Sequence, residues 1–300
     1  MSTSIVFAGS PVVAVPYLRA LYDAAFDIRA VVTRNDSRQG RKGVLTSTAV
    51  ATVAEELGLS VVKTNSLRDV DLPEVEIGVV VAYGGLVPPR LLSEPARGWV
   101  NVHFSVLPKY RGAAPVQRAL WDGEPTSGIS IFRLVEDLDA GPVYVSRSIP
   151  FEDDETASDA LERFADSTTD DLVGALRLIA TDAITPTVQI GEPSFAPKFS
   201  RVDGRIDWSL GATIVIQRIR AVTREPGAHT DVNGESIAIL RVASDIGPPL
   251  PLGEVVVIAG QVFVGTVDAS VGLLEVKPAG KKAMSAMDWF RGLRSSVVVG

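Results

Sequence analysis

The chain has 300 residues, 46% of them hydrophobic and 22% charged, with 29 Lys and Arg against 36 Asp and Glu, two His and no Cys. The missing Cys excludes thiol nucleophiles, disulfides and thiolate zinc sites, and two His exclude a three-His metal centre. A net charge of -7 argues, at first reading, against a nucleic-acid partner.

The N-terminus enters an apolar run at Ser4 with no basic region and long apolar stretch before it, so no signal peptide is expected. No run approaches the ~18 uninterrupted apolar residues of a membrane span. Together these readings give a cytoplasmic protein with no membrane contact. Residues 5–8 have the length of a buried strand, and Gly9-Ser10-Pro11 reads as a strand-to-helix turn with Pro at a helix start. Helical periodicity follows over 12–22, a second strand over 28–33 and a polar loop over 34–43. A helix over 47–57 is stopped by Gly58. Strands are predicted over 75–82, 99–102, 130–135 and 143–149, with a short helix over 115–121. A long helix over 156–180 has Thr156 as its N-cap.

This alternation predicts an α/β protein with a mostly parallel, helix-covered, Rossmann-like sheet. Ligands of such sheets bind beyond the carboxyl ends of the strands, which directs attention to the residues after 99–102. Pro186, Pro193 and Pro197, with Gly191, break the rhythm and read as a linker. A helix over 212–222 follows, then short strands over 236–243, 253–259, 261–267 and 272–276. That spacing predicts a small antiparallel, OB-like barrel. The expected organisation is a first domain over 1–185, a linker over 186–205 and a C-terminal domain over 206–300.

One segment concentrates chemistry: Asn101-Val102-His103 at a strand end, then Ser105-Val106-Leu107-Pro108. Residues two apart on a strand share a face, so Asn101 and His103 project together. An Asn amide and an imidazole both donate hydrogen bonds, and two converging donors can hold an oxyanion. Asp139-Ala140-Gly141 later places a carboxylate beside a glycine turn, where it could orient the imidazole and raise its pKa. Taken singly, each piece has an ordinary structural reading, since strand-end His residues and Asp-x-Gly turns are common.

Taken together, Asn-x-His, Ser-x-Leu-Pro and Asp-x-Gly resemble the signature of the formyltransferases that use 10-formyltetrahydrofolate. Further stretches resemble the branch that formylates initiator methionyl-tRNA. These are Val81-Ala82-Tyr83-Gly84, Arg111-Gly112-Ala113-Ala114-Pro115-Val116-Gln117-Arg118, Arg205-Ile206-Asp207-Trp208 and Pro278-Ala279-Gly280-Lys281-Lys282-Ala283-Met284. Departures stand at Phe104, where the family has Gly, at Val106, where it has Leu, and in the turn holding Arg224 and His229. His229 is expected to be structural or at the surface.

The resemblance implies transfer of a formyl group from folate N10 to the α-amino group of methionine on initiator tRNA. It implies Asn101 and a protonated His103 as oxyanion donors, with Asp139 taking the amine proton and holding His103 charged. It places the folate along Ser105, Val106, Leu107 and Pro108, with Tyr83, Gly84 and Gly141. No metal is required, and a monomer is expected. The tRNA would meet the loop holding Arg34, Arg38, Arg41 and Lys42, and basic residues of the second part: Lys198, Arg201, Lys281 and Lys282. Residues 136–182 hold 13 acids against 3 bases, so the acidity is concentrated outside those stretches and the net charge is a poor veto. Rival readings are a formyltransferase for a small amine, a hydrolase releasing formate, and an RNA-binding protein without turnover.

Overall fold

A computed structural model describes residues 2–39, 43–293 and 297–299. The chain divides into two compact units, one of Met1–Pro115, Ser127–Ile149 and Leu161–Ala196, the other of Val116–Thr126, Pro150–Ala160 and Pro197–Gly300. This differs from a single cut near 185. Two short pieces of the predicted first domain group with the second unit, and residues 186–196 of the predicted linker belong to the first.

In the first unit the strands are β1 (Ser4–Gly9), β2 (Asp27–Thr33), β3 (Ser37–Gln39), β4 (Val44–Thr46), β5 (Val61–Lys63), β6 (Ile77–Val81), β7 (Trp99–His103), β8 (Thr126–Arg133) and β9 (Val143–Pro150). The helices of this unit are α1 (Val15–Asp23), α2 (Ala49–Glu56), α3 (Pro89–Leu92) and α6 (Thr169–Ala180); α4 (Pro115–Trp121) falls in the second unit from Val116 on, and α5 (Ala157–Ser167) is divided between the units after Ala160. Seven strands form one sheet in the order β5-β2-β1-β6-β7-β8-β9. The pairings from β5 through β7 are parallel, and β8 returns antiparallel beside β7. Parallel strands covered on both faces must be apolar throughout, and β6 (Ile-Gly-Val-Val-Val) is buried at every position.

Beside β6, Gly78 pairs with Trp99 of β7, and a Cβ at 78 would lie 2.2 Å from the indole ring. The fully buried Trp99 fits only because that position is glycine, and its Nε1 donates to the Leu91 carbonyl at 2.7 Å. This packing fixes β7, the strand that carries Asn101 and His103.

Helix starts follow their chemistry. Pro16 occupies the first turn of α1, and Thr48 caps α2 by accepting from Ala51 N at 3.0 Å. The predicted helix over 156–180 is instead two helices meeting at Thr168. Thr168 is fully buried, and its hydroxyl bonds back to the Phe164 carbonyl at 2.7 Å and lies 2.5 Å from the Tyr17 hydroxyl. A β-branched residue whose hydroxyl competes for the helix backbone favours such a break.

In the second unit, α7 (Ala212–Val222) precedes β10 (His229–Val232), β11 (Glu235–Gly247), β12 (Glu254–Ile258), β13 (Gln261–Gly265), β14 (Ser270–Pro278), β15 (Met284–Ser285), α8 (Ala286–Arg291) and β16 (Val297–Val298). The sheet runs β10-β11-β14-β13-β12-β16, with neighbouring strands antiparallel. A bridge between Val232 and Val299 joins its two ends, which curls it into a barrel. Inward positions such as Ile237, Ile239, Val255, Val262, Val264, Val271 and Val276 form its core. Ile206 and Trp208 are buried too, and Trp208 Nε1 donates to Thr230 Oγ1 at 3.0 Å. The Arg-Ile-Asp-Trp motif is therefore an anchoring segment of this unit.

No helix among the described residues is long and apolar enough to cross a membrane.

Candidate active site

At the end of β7, Asn101 and His103 share one face, as strand alternation requires. Asn101 is half-buried, and its amide hydrogen-bonds to no other described residue, which leaves its donors available. His103 is 5% exposed. Its Nε2 lies 2.8 Å from the Tyr110 carbonyl, so Nε2 carries the hydrogen, because a carbonyl only accepts. Nδ1 then faces Asp139, with Oδ2 at 3.7 Å. The Phe132 ring meets the imidazole edge-on at a centroid distance of 6.3 Å.

Burial lowers the His103 pKa below its ordinary value, against the opposing pulls of Asp139 and the Tyr110 carbonyl. This corrects the expectation of a protonated imidazole. Asp139 lies beside His103 as expected, yet desolvation of the charged ring outweighs it, and the resting imidazole is neutral near pH 7.

Asp139 adopts a left-handed backbone, φ 48°, in the loop between β8 and β9. Its Oδ2 accepts from Gly112 N at 2.8 Å. Gly141 has no room for a side chain, since a Cβ there would lie 1.7 Å from the Arg133 carbonyl oxygen. Gln189 donates from Nε2 to the carbonyls of Asp139 and Gly141, each at 2.8 Å. Nothing in the sequence marked Gln189, which sits in the Pro-containing stretch predicted as linker. The visible signal was Arg111, its partner, inside the Arg-Gly-Ala-Ala-Pro motif.

The turn after His103 is pinned from β8. Ser130 Oγ donates to the Ser105 carbonyl at 2.8 Å and accepts from Leu107 N at 3.0 Å. Ser105 Oγ donates to the Lys109 carbonyl at 2.6 Å, so this hydroxyl braces the turn. The Leu107-Pro108 peptide is cis. Val106 and Pro108 are half-buried, and Leu107 is buried. Phe104 is buried and packs edge-on against Tyr17 at 6.4 Å, so the substituted side chain lies in the core on the face opposite His103.

Tyr83 departs from expectation. Its side chain is 1% exposed within the apolar cluster around Leu67, Leu91 and Trp99, and its hydroxyl donates to the Thr64 carbonyl at 2.9 Å. It is a core residue, and the adjoining loop turns at Gly84 with φ 78°.

Arg34 folds back on that loop and donates to the Gly84 carbonyl at 2.6 Å. The loop predicted over 34–43 contains β3, which pairs antiparallel with β4. Arg38 on β3 is exposed and donates to the Gly43 carbonyl at 3.3 Å. Arg41 and Lys42 lie outside the described residues. In the second unit Lys198 is exposed and pairs with Glu225 at 2.8 Å. Arg201, Lys281 and Lys282 are exposed, and no other described residue forms an ion pair with them. His229 begins β10, and its Nδ1–H donates to the Gly227 carbonyl at 2.9 Å, a structural role. Arg224 pairs with Asp159 at 3.5 Å. Among the described residues no group of three or more His, Asp or Glu is arranged to hold a metal ion.

The formyl transferase pattern matches residues 3–176, and the pattern for the formyl transferase C-terminal domain matches residues 198–294. A methionyl-tRNA formyltransferase of Clavibacter sepedonicus is 44% identical over 301 residues, spanning 98% of this chain and 99% of that one. One of Leifsonia xyli subsp. xyli is 45% identical over 300 residues, again spanning 98% and 99%. Among solved structures, the N-formyltransferase from Helicobacter canadensis, in complex with folinic acid and dTDP-3-aminofucose, superposes with a TM-score of 0.69. It is 16% identical and the match covers 91% of this chain and 99% of that one, a likeness of fold.

Proposed function

The chain belongs to the formyl transferase family, and from that premise we propose that it moves the formyl group of 10-formyltetrahydrofolate to the α-amino group of methionine on initiator tRNA. The observation that carries this reading is the likeness to methionyl-tRNA formyltransferases along 98% of the chain, through the second unit as well as the first. A formyltransferase for a small amine shares the fold over 91% of this chain at 16% identity, so the 44–45% identity to methionyl-tRNA formyltransferases over 98% of the chain is what favours tRNA.

The site supports a stepwise transfer. The neutral amine attacks the formyl carbon, a C–N bond forms, and the formyl oxygen becomes an oxyanion. Asn101 supplies a free amide donor for that oxygen. The amine proton passes to the His103–Asp139 pair: a neutral Nδ1 is a competent acceptor, and Asp139 at 3.7 Å stabilises the imidazolium that results. The proton then goes to folate N10 as the C–N10 bond breaks, which leaves tetrahydrofolate and the formylated amine. The roles of donor and proton carrier are thus divided differently from a permanently charged His103.

The turn Ser105–Pro108, the loop at Gly84 and Gly141 are proposed to receive the folate through backbone donors and acceptors. Arg34, Arg38, Arg41 and Lys42, with Lys198, Arg201, Lys281 and Lys282, are proposed to meet tRNA phosphates. The chain is proposed to act as a monomer in the cytoplasm, without a metal.

The test is incubation with 10-formyltetrahydrofolate and methionyl-tRNA. Formylmethionine attached to the tRNA is expected. Formate release without that product would establish a hydrolase, and tRNA binding without turnover would establish a binding protein.

A further inference from the structure

Gln189 lies between two outward-facing apolar residues, Val188 at 77% and Ile190 at 84% exposure, while its own side chain is half-buried against the loop of Asp139. Its two ends are satisfied by different partners. Nε2 donates to the Asp139 and Gly141 carbonyls, and Oε1 accepts from Arg111 Nη2 at 2.6 Å and Nε at 3.2 Å. A flipped amide would set oxygen against two carbonyls and N–H against a guanidinium, so the amide has one orientation.

Arg111 is held in turn by backbone. Its N donates to the Ser194 carbonyl at 2.8 Å, and its carbonyl accepts from Ala196 N at 2.7 Å. The next residue, Gly112, donates to the Asp139 carboxylate. Asp139 is therefore gripped twice, at its carboxylate from Gly112 and at its carbonyl from Gln189, with Arg111 joining the two grips. Its left-handed backbone, φ 48°, is uncommon outside glycine though less so for Asp, and these two grips hold it there.

We infer that Gln189 is a positioning residue that fixes the Asp139–Gly141 loop and thereby the carboxylate facing His103. For its rate readout the inference rests on the proposed formyl transfer; its structural readout does not.

Gln189→Glu keeps the size and the Arg111 partner but turns the two-carbonyl donor into an acceptor. Gln189→Met removes the polar ends altogether and serves where the first variant does not fold. Amide hydrogen exchange over residues 137–143 is expected to speed up in the variant. The kcat of formyl transfer is expected to fall at least about tenfold, within the ~10²-fold that small misplacement costs, while KM for methionyl-tRNA stays within about twofold. A kcat within about twofold of the parent overturns the inference whatever exchange shows, and so does a fall in kcat without faster exchange. A defect confined to KM overturns it too, because Gln189 would then belong to the binding surface. If the parent chain itself transfers no formyl group, the functional reading fails and exchange alone decides the clamp, with unchanged exchange overturning it.

Discussion

His103 lies against two acceptors, the Tyr110 carbonyl and the Asp139 carboxylate, and still titrates below the ordinary imidazole value because burial dominates. As the pH falls through about 6.5, an unfolded chain gains a proton on this ring and the folded chain does not. Stability is therefore lost with falling pH from about 6.5 until the lower folded value is passed, and above that window the ring contributes nothing to the pH dependence. Denaturant midpoints at about pH 7.5 and 5.5 are expected to differ more in the parent than in His103→Asn. Equal differences would show that the ring is not held neutral. Asn101 tests the other half of the site. Asn101→Ala is expected to lower kcat by ~10²–10³-fold with little change in KM, the scale of losing an oxyanion donor. Near-parental turnover in a steady-state assay would remove it from the mechanism. Sequence spacing made the shared face of Asn101 and His103 legible, because strand alternation is strict. The charge of His103 was not legible, because sequence does not report how completely a ring is desolvated. Tyr83 misled for the same reason: a tyrosine in a loop motif looks alike whether it faces a ligand or the core.

At the scale of elements, long apolar runs declared themselves and short ones did not. β6 and β7 are near their predicted positions, since a buried parallel strand is apolar throughout. Pieces of two or three residues, such as β3, β5, β15 and β16, are too short to show a period; β5 and β16 exist through pairing with strands far off in the chain, and β3 and β15 through pairing with a strand next to them along it. The break at Thr168 depends on a contact with Tyr17, far off in sequence, which local periodicity does not reveal. The linker stretch shows the same limit, since Gln189 and Ser194 gain their roles only when Arg111 is beside them. Gly78 gives an element-scale test of the site's support. A methyl group there would meet the Trp99 ring at 2.2 Å, so β6 and β7 must separate or the indole must leave its slot. Gly78→Ala is expected to destabilise the chain by about 1–3 kcal/mol, as overpacking does in a filled core. A thermal or denaturant midpoint equal to the parent's would show that β7 is not held by this packing.

For the whole molecule, net charge gave the wrong first answer because electrostatics acts through where charges lie. The chain carries -7 in total, but residues 136–182 alone hold 13 acids against 3 bases. Several basic residues of the second unit are neutralised by neighbours: Lys198 by Glu225, Arg205 by Asp231, and Arg224 and Arg241 by Asp159. Lys281 and Lys282 differ from these. They sit in the exposed turn after β14, where Lys281 N donates to the Pro278 carbonyl at 3.1 Å and Gly280 takes φ 76°, and no described residue pairs with either side chain. Exposed cations without a carboxylate partner can exchange counterions for phosphates at little cost within the protein. If they contact tRNA, each releases about one counterion, and the double variant Lys281→Glu, Lys282→Glu is expected to weaken tRNA binding and reduce the slope of log affinity against log salt by about 2. The folate site should be untouched, so KM for 10-formyltetrahydrofolate stays at the parental value while KM for tRNA rises. A parental salt slope in filter-binding titrations would remove this turn from the tRNA surface and leave the contact to Lys198, Arg201 and the basic residues near β3.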